Sequence, residues 1–411
     1  MAAPKQSSLR ALNAINFFMA DVQGGLGPFL GIYLQSEHWT PEQIGLAMTI
    51  GGLAGMAATA PFGALVDTLR AKRALVVAAA AAITVASLVI LVAKSFAVVA
   101  ITQVVTGISD AAIGPALAGI TLGLVGQKHY THRVGRTQAF NHAGNVTAAV
   151  LAGGLGYVFG IGAVFAVLAG MAIASAISVI RIDPRQIDYR AARGLSEKEG
   201  DGGTAWSAVI TCAPLVILAV TLTLFHLGNG AMLPLLGQSL AAGKAGNPSA
   251  FTGATVVIAQ LTMLPMALLA ARLAEARGYW VVLLLALLAL PVRGALAAAI
   301  GGPLAILPVQ LLDGVGAGLL GVAVPGLVAR ILNGTGHVNA GLGAVMTMQG
   351  IGASLSPALG GLLAEKFGYG AAFLGLGAVA FVALLLWLVT RPVTGAACGG
   401  AAASRKRAAA R

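Results

Sequence analysis

Apolar residues run through this chain in long blocks rather than in the period of two of a strand or the narrow stripe of a surface helix. Twelve blocks can be marked, with approximate cores at 11–34, 43–66, 74–93, 96–125, 139–160, 162–181, 207–238, 250–273, 279–300, 303–332, 340–364 and 368–390. Crossing a bilayer takes ~20 mostly apolar residues, so each block predicts a membrane-spanning helix. The longest polar segment, Asp183 to Thr204, falls after the sixth block and divides the spans six and six. Predicted is an all-α membrane protein, twelve transmembrane helices in two pseudo-symmetric six-helix bundles: residues 1–182, a cytoplasmic linker 183–206, residues 207–391, and a basic disordered cytoplasmic tail 392–411.

The second half echoes the first at an offset of about 207 residues. Gln103 with Gly107 recurs as Gln310 with Gly314, and Gly153-Gly154 recurs as Gly360-Gly361. One fold unit used twice is the pattern of transporters built from internal repeats. Two corresponding spans are interrupted in a similar way, the first by Gly24-Gly25-Leu26-Gly27-Pro28 and the seventh by Gly228-Asn229-Gly230 with Pro234. Backbone groups freed at such breaks need a partner or a water-filled cavity, so paired breaks point to a substrate pathway. Elsewhere small residues at four-residue spacing, as in Gly51 and Gly55 or Gly314 and Gly318, predict close helix packing.

Composition agrees with the blocks: of 411 residues, 58% are hydrophobic and 9% charged, far from soluble usage. The net charge of +12 would suggest nucleic acid in a soluble protein. Its placement suggests a membrane instead. With the N-terminus inside, 21 of the 25 Lys and Arg fall in cytoplasmic segments, which predicts both termini in the cytoplasm and no nucleic-acid partner. The tail from Arg391 is expected to lie against anionic lipid. Two cysteines, Cys212 and Cys398, form neither a disulfide framework nor a metal motif. No metal site and no cofactor are expected, and the absence of a phosphate-binding loop argues against ATP as the driver.

Between the second and third spans the chain reads Gly63-Ala64-Leu65-Val66-Asp67-Thr68-Leu69-Arg70-Ala71-Lys72-Arg73, with a weaker copy around Glu275 and Gly278. This segment resembles the cytoplasmic signature of the major facilitator superfamily, Gly-x-Leu-x-Asp-Arg-x-Gly-Arg-Lys. Thr68 stands where a basic residue is usual and Arg70 where Gly is usual. The resemblance implies a cytoplasmic gate of Gly63, Asp67, Arg70, Lys72, Arg73 and Glu275. Contacts at these helix ends would break as the bundles rock. Proton antiporters of the superfamily carry an Arg four residues before a Gly in the fourth span; here Gln103 precedes Gly107. Their Gly-Pro-x-x-Gly-Gly of the fifth span is reduced to Gly153-Gly154, so the antiport signature is incomplete.

Ionisable residues inside spans cost about 2.5–3.5 kcal/mol each on insertion scales and mark functional sites by default. Asp21, Asp110, Arg293 and Asp313 are such residues. Asp21 lies near the midplane beside the first Gly-rich break and is the leading candidate for a coupling carboxylate, with Asn13 or Asn16 as alternative static partners. Arg293 and Asp313, on adjacent antiparallel spans, are close enough in depth to pair, whereas an unpaired Arg293 would attract an anion. Gln103 shares a face with Asp110, and Gln310 with Asp313. His142 in the fifth span, and His226 with Asn229 in the seventh, add polar groups that could relay protons. His129 and His132, beside Lys128 and Arg133, read as a solvated loop.

Together these features predict a monomeric secondary transporter of a bacterial inner (plasma) membrane, exporting a small amphiphilic or anionic organic molecule in exchange for protons. An importer of a small metabolite is the alternative within transport. An intramembrane aspartyl hydrolase using Asp110 and Asp313 is the alternative from another class, since two carboxylates sharing a proton can do such chemistry.

Overall fold

A computed structural model describes residues 5–188, 211–244, 246–333 and 338–398. Among these residues the chain is helical, without a strand. The helices are α1 (Gln6–Val22), α2 (Pro28–Ser36), α3 (Pro41–Thr68), α4 (Lys72–Val92), α5 (Phe96–Phe159), α6 (Ala163–Ile180), α7 (Ala213–Asn229), α8 (Met232–Ala242), α9 (Pro248–Arg277), α10 (Tyr279–Ile300), α11 (Ile306–Ile331), α12 (Val338–Val389) and α13 (Arg391–Cys398). Two of them are double: α5 turns at Gly126 (φ 69°) and α12 at Gly368 (φ 83°), left-handed backbone that glycine adopts without a Cβ penalty. Nine helical stretches of the described chain are long and apolar enough to cross a membrane, the doubled α12 counting once. Many large apolar side chains on their outer faces, such as Leu264, Leu268, Ile173 and Val389, are exposed, as expected where lipid rather than water is the solvent.

Two compact units emerge. One comprises residues 1–39, 47–200 and 247–254, the other residues 40–46, 201–246 and 255–411. Most of the expected linker (189–206) and the end of the expected tail (399–411) lie outside the described residues.

In the first unit, polar anchors close the helix ends. Arg73 donates from Nε to the Val179 carbonyl (3.1 Å) and from Nη2 to the Ile180 carbonyl (2.8 Å), so a cation caps the C-terminal end of α6. Lys72, 1% exposed, donates to the Val66 carbonyl near the end of α3. The expected solvated loop around His129 and His132 is helical and belongs to the second half of α5. Arg133 there is buried and donates to the Leu9 carbonyl and, at 2.7 Å, to Asn13 Oδ1. A guanidinium offers five donors on a long apolar stem, so it can satisfy the turn of α1 from beneath.

In the second unit, residues 392–398 are not an irregular tail. They continue from Arg391 as α13, whose Arg391 guanidinium stacks 4.7 Å over the Trp280 ring and whose Thr394 and Cys398 are buried. Burial pushes the Cys398 thiol up to about 12, against the opposing pull of Arg330. At pH 8 a thiol with that value is ionised in about one molecule in ten thousand, and thiolate is the reactive form. N-ethylmaleimide at pH 8 should therefore label the half-buried Cys212 of the folded protein and spare Cys398. Mass spectrometry should find both labelled after denaturation; equal labelling in the folded state would mean that α13 does not dock.

Candidate functional site

The first break opens a cavity. After Val22 the backbone leaves the helix, and Gly24 (φ 76°), Gly25 (φ 63°) and Gly27 (φ 51°) all take positive φ before Pro28 starts α2. Side chains other than glycine are strained there, and proline at the first turn of α2 costs no hydrogen bond. A Cβ on Gly24 or Gly27 would meet nothing within 4 Å, so both glycines border open space. That space is a cavity of about 330 Å³ lined by α2, α3, α5 and the break, with Leu30, Met48, Met56, Gln103, Thr106 and Asp110 among its walls.

One wall is made by two helices in backbone contact. A Cβ built on Gly107 of α5 would lie 2.1 Å from the Gly51 carbonyl oxygen of α3, and one on Gly55 would lie 3.0 Å from the Gly107 oxygen. Gln103 presses on Gly51 one turn away. The four-residue glycine spacing therefore brings α3 and α5 together, as expected from the sequence. Asp110 follows at the end of that contact and accepts a hydrogen bond from the Gly24 backbone N–H, while its Oδ1 is buried without a partner.

Asp21 stands apart from this arrangement: it is half-buried one turn before the break and is not among the cavity's lining residues. The static partners considered for it are engaged elsewhere, Asn13 by Arg133 and Asn16 by the Leu12 carbonyl (2.8 Å). His142 is exposed on α5 and also lies outside the cavity wall.

The second unit carries a polar cluster of a different kind. Arg293 on α10, 1% exposed, donates from Nη1 to Asp313 Oδ1 on α11 and to Asn229 Oδ1 at the end of α7, each at 2.7 Å. Of the two alternatives left open by depth, the pair is the one present, and a third helix joins it. Arg293 Nε and Nη2 and both polar atoms of Gln310 are buried without partners. One turn before Asn229, His226 sits 3.0 Å from the Gln349 carboxamide of α12, which donates to its Nε2. Asp313 is committed as the counter-ion of Arg293, so it is not half of a proton-sharing carboxylate dyad.

The seventh-span interruption does not mirror the first. Gly230 (φ −58°, ψ −34°) and Ala231 (φ −83°, ψ −18°) keep helical backbone, so α7 and α8 are joined by a near-continuous turn. The glycines serve packing instead: a Cβ on Gly228 would lie 2.6 Å from the Leu376 carbonyl, and one on Gly230 2.8 Å from that of Ala353. The freed Ala231 N–H donates to Ser356 Oγ at 2.8 Å. Pro-containing and Gly-containing strings read alike in sequence, yet only the one with three positive-φ glycines opens the helix.

At the expected cytoplasmic gate, Arg70 is exposed, Lys72 and Arg73 cap helix ends, and nothing lies within 4 Å of a Cβ on Gly63. The Asp67 side chain lies outside the described residues, and Glu275 is exposed on α9. The described residues hold no group of three or more His, Cys, Asp or Glu that could bind a metal ion.

Comparison with known proteins bears on this architecture. The family model described as Major Facilitator Superfamily matches residues 11–340 and again 218–409, an overlap expected of a repeated unit. Two relatives from Mycobacterium tuberculosis, strains CDC 1551 / Oshkosh and ATCC 25618 / H37Rv, are each 43% identical over 389 residues, covering 94% of this chain and 93% of theirs. Both are described as uncharacterized MFS-type transporters. Among solved structures, a mutant of the nucleoside transporter NupG superposes with a TM-score of 0.75, covering 93% of this chain and 99% of its own. A bacterial homologue of the human lysosomal transporter Spinster, inward-facing and unoccupied, scores 0.73 over 96% of this chain and 98% of its own. Each is 13% identical and speaks for the fold alone. A repeated helical unit, ionisable residues inside apolar spans, and a family match along almost the whole chain agree. This protein belongs to the major facilitator superfamily and is a transporter rather than an enzyme.

Proposed function

We propose that this transporter exports a small amphiphilic organic molecule from a bacterial cell in exchange for protons, acting as a monomer in the plasma membrane with both termini in the cytoplasm. The observation that carries the reading is the Asp110 carboxylate, held at a helix break on the wall of a cavity with one buried oxygen unpartnered. A carboxylate on a cavity that opens alternately to the two sides of a membrane can take a proton from one side and give it to the other. That is the requirement for coupling. Asp21, one turn before the break, is the second carboxylate of the pathway, with Gln103 beside Asp110. In the second unit Arg293, Asp313, Asn229, Gln310 and His226 supply that unit's own polar groups for transport. The neutralised Arg293 removes the reason to favour an anionic substrate. On the cytoplasmic side, Lys72 and Arg73 act as latches on the ends of α3 and α6 that open and close with the gate.

The test is a screen of organic solutes in everted vesicles containing the full chain, with interior pH followed by a dye. A transported solute should release protons from acidified vesicles; a pH change of the opposite sign identifies an importer. Asp110→Asn should reduce proton movement linked to the solute at least tenfold, and Asp21→Asn should also weaken it. Retention of full coupling in Asp110→Asn would remove Asp110 from the role given to it.

A further inference from the structure

We infer that the cavity of the first unit takes a cationic ligand, a protonated amine carrying a small apolar body, with Asp110 as its counter-ion. The inference rests on the transport reading and names the substrate class of the same site. No Lys, Arg or His is among the residues lining the cavity, so Asp110 is the charged group of its wall. Among the described residues Lys5–Asp183, Lys94–Glu37 and Arg293–Asp313 form ion pairs, and Asp110 belongs to none of these three. Its carboxylate has one protein hydrogen bond, from Gly24, and a buried oxygen that lacks any.

An ionised carboxylate removed from water is destabilised unless a cation or several donors compensate it. Here the wall supplies one donor and no cation, which leaves a proton or a positively charged ligand to complete the site. An anion would meet the field of Asp110 with no opposing charge on the wall. A neutral solute would leave the carboxylate to be compensated by a proton alone, whereas a cation compensates it directly. The rest of the lining suits the body of such a ligand: Leu30, Met48 and Met56 are apolar, two of them flexible thioethers that adapt to varied shapes, and Gln103 and Thr106 offer hydrogen bonds. About 330 Å³ is at the small end of ligand pockets, which bounds the body to roughly one ring.

Binding to the purified full chain in liposomes without any gradient tests this, using radiolabelled benzylamine, benzyl alcohol and benzoate, three probes of similar shape and different charge. Benzylamine should bind at least tenfold more tightly than benzyl alcohol, and benzoate should not compete with it. Asp110→Asn should weaken benzylamine at least tenfold, whereas Asp110→Glu should keep most of the preference. The ranking on the unaltered protein stands even where a variant fails to fold. Equal binding of the alcohol and the amine, preference for benzoate, no binding of benzylamine, or an unchanged affinity in folded Asp110→Asn overturns the inference. A protein that binds amines but exchanges none for protons overturns the proposed export by proton exchange and leaves this inference standing. Proton-linked movement of neutral or anionic solutes alone does the reverse.

Discussion

Asp313→Asn should destabilise the protein by about 3–5 kcal/mol, enough to lower its yield in the membrane and its thermal midpoint in detergent by a wide margin. The reason is the position of Arg293. Its guanidinium is 1% exposed and its Nη1 is shared between Asp313 and Asn229, while Nε and Nη2 already lack partners. Removing the carboxylate strands a buried cation among apolar helices, whereas a paired charge is only moderately costly. Replacing both partners, as in Arg293→Met with Asp313→Leu, should recover most of the loss, because neither charge then needs compensation. Thermal unfolding followed by size-exclusion fluorescence checks the three proteins. A single variant as stable as the parent would show that Arg293 is held by other groups. Failure of the double variant to recover would place the value of the pair in geometry rather than charge.

Gly107→Ala should cost about 3 kcal/mol, at the upper end of overpacking penalties, despite alanine being the better helix former. The added methyl meets the Gly51 carbonyl oxygen at 2.1 Å and the Gly55 nitrogen at 3.0 Å, and both are backbone atoms that no rotamer change can move. To admit it, α3 and α5 must separate, which reshapes the wall on which Gln103 and Asp110 sit. Gly114→Ala, two turns further along α5, is the matched control: a Cβ there meets nothing within 4 Å and the position is exposed. It should be neutral or stabilising by up to about 1 kcal/mol. Comparing the two midpoints separates glycine as a contact from glycine as a flexible residue. Similar effects at both sites would count against backbone contact between α3 and α5.

Much of the site was legible because bilayer residence makes its own signals. Each in-span charge stood out against apolar blocks, and helical rise placed Arg293 and Asp313 at depths that allow a pair while leaving an unpaired Arg293 open; the structure pairs them. What sequence could not show was which neighbour a polar group finds. Arg133 sits in a stretch that reads as a charged loop, yet its long side chain reaches the first turns of α1 from 120 residues away. Asn13, expected near Asp21, is taken by that arginine. Asp21 looked the better carboxylate by depth, but Asp110 is the one on the cavity wall. The same limit applies to glycines: Gly24 and Gly228 each belong to a run expected to break a helix, but one has open space beside it and the other a carbonyl at 2.6 Å. A string such as Gly-Asn-Gly has no say in whether the next helix arrives at that turn.

The sequence by itself determined the solvent, the helical class and the repeated unit, because span length, the excess of basic residues in alternate loops and the cost of buried charge are local properties that composition records, and the Gly63–Arg73 segment carried the resemblance to the family. Only the tertiary structure decided that the first break opens a cavity while the seventh-span glycines pack, that Asp110 borders it, that Lys72, Arg73 and Arg133 hold helix ends, and that α13 docks. Those outcomes depend on which helix faces fill the same volume, and steric contact between residues far apart in the chain leaves no periodic trace along it.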